Sequence, residues 1–223
     1  MGIELAVLDM AGTTVSDDGL VIRAFDEAAT AVGLPAEGAD RDAARRYVLD
    51  TMGQSKIEVF RALFGTEDRA RVANTAFEKA YEHFVDGGVT PIPDAAEAIS
   101  ALRAAGVKVA LTTGFSPSTQ QRIIDALGWS EVADLVLAPG PGVRGRPHPD
   151  LVLSALMRSG VDDVRDVAVA GDTASDILCG LRAGAAVAAG VLTGAHDRET
   201  LRAAGATHVL GSIAELPDLL LNA

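Results

Sequence analysis

Short apolar runs rich in β-branched residues recur along the chain, separated by stretches in which apolar residues return every three or four positions. The first pattern marks strands and the second amphipathic helices. Residues 5–8, 107–112, 135–138, 167–170, 186–192 and 208–210 are the predicted strands. Helical periodicity occupies residues 94–105, 117–127, 150–159, 174–183 and 198–203. Strands and helices alternating in this order predict βαβ units, and therefore an α/β fold with a doubly wound parallel sheet.

One interval departs from the alternation. From about residue 15 to residue 90 there is no strand pattern, only amphipathic stretches at 21–32, 41–50, 55–64 and 68–84. Gly87-Gly88, Pro91 and Pro93 then punctuate the return to strand and helix. The expected organisation is an α/β core built from residues 1–14 and 91–223, with a small all-helical cap domain inserted at 15–90. The two connections, near 15–19 and 86–93, would serve as hinges. Asp17 and Asp18 in the first are expected to be solvated hinge charges rather than a metal site.

Composition narrows the function classes. The 223 residues are 48% apolar and 22% charged, ordinary for a globular enzyme. A formal net charge of −12 repels nucleic acid and anionic membranes, so neither is an expected partner. An anionic substrate would need a local cationic site, which draws attention to Lys56 and Arg146. The single cysteine, Cys179, permits neither an intramolecular disulfide nor a cysteine-built zinc site and suits a reducing compartment. The opening residues run directly into a strand pattern without a signal-peptide layout, and Ala6 stands where a myristoylation signal needs Ser or Thr. A soluble cytoplasmic protein is expected.

In open parallel sheets the ligand crevice lies beyond the carboxyl ends of the strands. Four polar sets follow the predicted strands: Asp9-Met10-Ala11-Gly12-Thr13-Thr14, Thr112-Thr113-Gly114, Gly142-Val143-Arg144-Gly145-Arg146-Pro147, and Gly171-Asp172-Thr173-Ala174-Ser175-Asp176. Asp9 and Asp172, ending neighbouring strands, could share one Mg²⁺, a hard cation that prefers oxygen ligands. Such a cation offsets the repulsion between a carboxylate and a phosphoryl group, so Asp9 could attack phosphorus and form an aspartyl-phosphate. Thr113, the Gly114 N–H and Arg146 would hold the phosphoryl oxygens. Each element also has an ordinary reading, since an Asp after a strand is commonly a turn or cap residue, and the fourth set could simply cap a helix at Ala174. Their order after successive strands is what gives them joint weight. His83 and His148 read as surface or structural residues, and Trp129 and Cys179 as packing residues.

Taken in order, these four sets resemble the motifs of the haloacid dehalogenase superfamily, across essentially the whole chain. The resemblance implies Mg²⁺ held by Asp9, Asp172 and the backbone carbonyl of Ala11, with Asp176 behind them. It implies phosphate or substrate contacts from Ala11, Gly12, Thr13, Met52, Gly53, Thr113, Gly114, Phe115 and Arg146. Within the superfamily the chain looks most like phosphonoacetaldehyde hydrolase, or phosphonatase, which also has Ala at the place of Ala11. Phosphatases of the superfamily carry there a second Asp that protonates the leaving oxygen. Phosphonatase uses a cap lysine within Met-Gly-x-x-Lys to form a Schiff base with its aldehyde substrate, and Met52-Gly53-Gln54-Ser55-Lys56 matches that motif. Lys56 is then the candidate amine, needing a depressed pKa.

Two departures leave the substrate open. Phosphonatase has a His where this chain has Val59 and a Tyr where it has Phe115. A small anionic organophosphorus substrate is expected, with P–C cleavage of an aldehyde phosphonate as the first reading. A phosphatase of a phosphoglycolate-like ester, with Lys56 merely contacting substrate, is the alternative. A metal-free dehalogenase and a non-catalytic phosphate-binding module stand behind it. Related enzymes can dimerise through cap helices, so a homodimer through the cap is also an expectation.

Overall fold

The computed structural model describes residues 2–222. The six apolar runs become β1 (Leu5–Asp9), β2 (Lys108–Thr112), β3 (Leu135–Leu137), β4 (Val167–Gly171), β5 (Val187–Val191) and β6 (His208–Leu210). They form one parallel sheet in the order β3-β2-β1-β4-β5-β6. β1 and β4 are buried at every position. Central strands covered on both faces have no solvent side, which is why their sequences are unbroken apolar runs rather than alternating ones. The chain winds from β1 to β2 on one side and later crosses to β4 on the other. The switch in direction thus falls between the carboxyl ends of β1 and β4, where a parallel sheet opens a crevice.

Between β1 and β2 come α1 (Leu20–Ala31), α2 (Ala39–Asp50), α3 (Lys56–Phe64), α4 (Glu67–Asp86) and then α5 (Ala95–Ala104). The first four are the helical insertion that the periodicity predicts, with ends displaced by one or two residues, the usual uncertainty of helix boundaries. α4 packs against both α1 and α3. Their contact is an aromatic column in which Phe60 stacks on Phe25 and Phe64 and meets Phe77 edge-on at 5.7 Å. The two connections to the sheet cross side by side. Val15 bridges Pro91, Ser16 N–H donates to Thr90 C=O at 2.9 Å, and Ile92 N–H donates to Thr14 C=O at 3.0 Å.

The remaining helices are α6 (Pro117–Leu127), α7 (Asp150–Ser159), α8 (Ala174–Ala183), α9 (Arg198–Ala203) and α10 (Leu216–Leu221). α10, with Leu216 and Leu220 buried, has no counterpart in the sequence reading. Among the described residues no helix is long and apolar enough to cross a membrane.

Candidate active site

β1 and β4 deliver Asp9 and Asp172 to the crevice, both nearly fully buried. The chain after Asp9 folds back at once, with Thr14 Oγ1 donating to Asp9 C=O at 2.9 Å and Gly12 N–H to Val15 C=O at 2.7 Å. Within that turn Thr13 is wholly buried, and its hydroxyl lies 3.2 Å from Asp172 Oδ1 and 3.4 Å from Asp9 Oδ2. Thr13 therefore orients the two carboxylates and does not line the cavity, where the sequence reading had it touching substrate. Asp172 Oδ2 accepts from the Ala195 N–H at 2.7 Å. Thr193 Oγ1 donates to Gly12 C=O at 2.7 Å, tying the loop after β5 to the first turn.

Arg146 is buried and ion-paired with Asp9 at 2.6 Å and with Asp176. Asp176 also closes a capping box with Thr173 at the start of α8. Asp9, Asp172 and Asp176 each offer a carboxylate oxygen, all within 4.8 Å of one another, so the triad could hold a metal ion. All three carboxylates accept from neighbours, but Asp9 and Asp172 line the cavity and Asp176, held by Arg146 and Thr173, stands behind them. Burial raises the pKa of Asp172, and the neighbouring Asp9 charge raises it further. Two such carboxylates side by side are a site that a divalent cation would stabilise. The Nε of Arg146 is buried without a hydrogen-bond partner, an unused donor beside Asp9.

The opposite wall comes from the insertion. The loop before α3 lies against the sheet's carboxyl edge, with Lys56 N–H donating to Gly114 C=O at 3.2 Å. Contact is backbone to backbone there. A Cβ on Gly114 would stand 2.5 Å from Gln54 O, and one on Gly53 would collide with Thr173 Oγ1. Lys56 is 9% exposed, and its Nζ sits 5.5 Å and 5.9 Å from the ring centres of Phe115 and Phe77. Burial lowers its pKa to about 8, opposed chiefly by Asp17, while Arg146 lowers it further.

A cavity of about 420 Å³ joins the two walls. Asp9, Ala11, Gly12, Met52, Gly53 and Lys56 line it, as do Thr113, Gly114, Phe115, Arg146 and Asp172, so the structure brings these predicted residues together. Val59 is buried in the hydrophobic cluster, and Phe115 packs 4.4 Å from the Tyr81 ring. His83 and His148 are exposed.

Asp17 is a correction to the sequence reading. Asp18 is exposed, but Asp17 is half-buried and lines the cavity near Lys56. The turn at Gly19 that starts α1 draws it inward, and Val21 N–H donates to its Oδ1 at 3.3 Å. Burial raises its pKa, with the Lys56 charge acting against the rise. Tyr81 and the Thr193-Gly194-Ala195 loop were also missed. Tyr81 has the period of a core residue, and the loop acts largely through backbone groups that no side-chain motif signals.

The haloacid dehalogenase-like hydrolase model matches residues 3–184. The chain belongs to the haloacid dehalogenase-like hydrolases. A relative from Dickeya dadantii named "Probable phosphatase IndB" is 28% identical over 220 residues, covering 95% of this chain and 91% of that one. A phosphonoacetaldehyde hydrolase from Parabacteroides distasonis is 29% identical over 189 residues, covering 72% and 70%. Among solved structures, the phosphonoacetaldehyde hydrolase-like protein of Oleispira antarctica aligns with a TM-score of 0.84 at 25% identity, over 100% of this chain and 92% of that one. As a member of this family the protein is a hydrolase with an α/β fold.

Proposed function

We propose that the protein is a Mg²⁺-dependent phosphonatase-like hydrolase that cleaves the P–C bond of a small aldehyde phosphonate through a Schiff base on Lys56. The observation that carries this is the pairing across one cavity of a buried, pKa-depressed Lys56 with Asp9 and Arg146, where Ala11 offers no acid. In this reading Asp9 and Asp172 hold Mg²⁺ with the Ala11 carbonyl, Asp176 supports them, and residues 15–90 form the cap. Bound there, Mg²⁺ would offset the negative charge of carboxylate and phosphoryl group.

The chain's own residues account for the remaining steps. Uncharged Lys56 attacks the aldehyde carbon, and loss of water leaves an iminium. Asp9 attacks phosphorus while Arg146, through its free Nε, and Thr113 hold the phosphoryl oxygens. The P–C electron pair passes to the iminium and leaves as an enamine, so no acid is needed at position 11. Water then hydrolyses the aspartyl-phosphate. The insertion loop against Gly114 keeps bulk water from the intermediates.

Phosphate release from phosphonoacetaldehyde with Mg²⁺ tests the reading. Borohydride should inactivate the enzyme during turnover and leave a reduced adduct on Lys56. The similarity to the Dickeya dadantii protein favours a second reading, hydrolysis of a small phosphomonoester. Release of phosphate from esters alone, with no borohydride effect, would establish it and make Lys56 a substrate contact.

A further inference from the structure

Three polar groups on the insertion side of the cavity have no part in holding phosphate or metal. Lys56 and Asp17 line the cavity, and Tyr81, packed on the cavity residue Phe115, has its hydroxyl wholly buried and unpartnered. A phenol hydroxyl desolvated without a partner costs stability unless something compensates it. Here burial and the Asp17 carboxylate hold its proton firmly in place. The Tyr81 ring leans on Phe115, which closes the cavity beneath the Lys56 Nζ. Of all charged groups Asp17 acts most strongly on Lys56. Imine formation in so dry a site needs a group that removes a proton from nitrogen and returns one to oxygen. Neither Val59, buried in the apolar cluster, nor Phe115 can do so.

We propose that Asp17 is the acid–base partner of Lys56 in forming and hydrolysing the Schiff base. The proposal rests on the Lys56 reading above. Lys56 and Asp17 face the same cavity without a direct ion pair, and the resting ammonium and carboxylate become amine and carboxylic acid by transfer of one proton from Lys56 to Asp17 through a water molecule between them. The amine lone pair forms the C–N bond while the carbonyl π pair moves to oxygen, which takes the Asp17 proton. The carboxylate then accepts the extra proton on nitrogen, giving a neutral carbinolamine and Asp17 again as acid. Asp17 protonates the hydroxyl, the C–O bond breaks, water leaves, and the nitrogen lone pair closes the C=N bond. The end state is a cationic iminium beside a carboxylate, with the same net charge as the start. After P–C cleavage the enamine's terminal carbon takes one proton, balanced by the one released when water hydrolyses the aspartyl-phosphate, and the iminium so formed is hydrolysed by these steps in reverse. Burial favours the uncharged forms of both partners, which makes the first transfer accessible.

The test compares wild type, Asp17→Asn and Asp17→Glu in two measurements. The first is the rate of borohydride-dependent labelling of Lys56 by acetaldehyde, which contains no phosphorus and so reads imine chemistry alone. The second is kcat and KM for phosphate release from phosphonoacetaldehyde. Asp17→Asn should lose roughly 10²- to 10³-fold in labelling and kcat with KM changed little, the size of an acid–base contribution. Asp17→Glu should recover part of both. Asp17→Ala, which does not depend on Asn being tolerated, should be rescued by added formate, an external acid–base that a purely structural role would ignore. Wild-type labelling rates in Asp17→Asn, or no formate response in Asp17→Ala, would remove the Asp17 proposal alone. No label on wild-type Lys56 would overturn the Lys56 reading and this proposal together.

Discussion

At Lys56 the fold holds an ammonium group where water barely reaches it. The folded pKa of about 8 lies below the usual 10.5, so the charged form is disfavoured by folding. Below pH 8 both folded and unfolded states carry the proton and the penalty is fully present. Between pH 8 and 10.5 the unfolded chain binds the extra proton, so stability rises with pH across that window. At about 1.4 kcal/mol per pKa unit the cost at neutral pH is on the order of 3 kcal/mol, an upper figure for a site that can relax. Lys56→Met should therefore raise the denaturant midpoint while abolishing phosphonate turnover, and a lowered midpoint would contradict the burial argument. Because the Lys56 proton passes to Asp17 and not to solvent, kcat/KM for the phosphonate should be level below about pH 8 and fall about tenfold per pH unit above it, as the pair loses the proton that the carbonyl oxygen needs. A rate that rises with pH up to about 8 would mean that the proton leaves to water and that Asp17 takes no part in imine formation.

The carboxylates across the cavity give a metal prediction at the same scale. Mg²⁺ at about 100 times its dissociation constant should stabilise the protein by roughly 2.7 kcal/mol, read as a higher melting temperature. Asp172→Asn should lose that shift. An unchanged shift in the variant would place the ion elsewhere.

Among elements, the contact that completes the cavity is the loop before α3 against the ends of β2 and β4. Gly114→Ala puts a methyl group against the Gln54 carbonyl, and neither backbone can yield by rotating a side chain. Displacing the loop by about an ångström should lower kcat/KM by roughly 10²-fold, since reacting groups held slightly out of place lose much of their advantage. The variant's melting temperature should change little, and a large fall would mean that the glycine serves the sheet instead. This seam explains what the sequence could and could not disclose. Asp9, Asp172 and Arg146 were legible because each follows a strand in a recognisable order. Asp17 was not, since a pair of acids beside glycine looks the same whether a turn points one inward or leaves both in water. Tyr81 recurs at helical spacing and reads as packing, and only the placement of α4 against Phe115 brings it to the edge of the cavity. Thr193-Gly194-Ala195 offers a backbone N–H, a group every residue has. The topology was legible for the opposite reason, because alternation of strand and helix permits few windings.

Over the whole molecule one hydrophobic cluster runs without a break from Leu8 and Met10 under the sheet to Phe25, Phe60 and Phe77 in the helical insertion. Sharing a core should make unfolding a single transition, with calorimetric and van't Hoff enthalpies in agreement. Two resolved transitions would show that insertion and sheet melt separately.

The point where this cluster crosses the seam, Tyr81 against Phe115, carries a thermal consequence. Any opening wide enough to admit substrate bares aromatic surface to water, and the force that recloses it is largely entropic near room temperature. That force weakens on cooling. The protein should be most open in the cold, so that chilling speeds entry and exit of ligand relative to the chemical step.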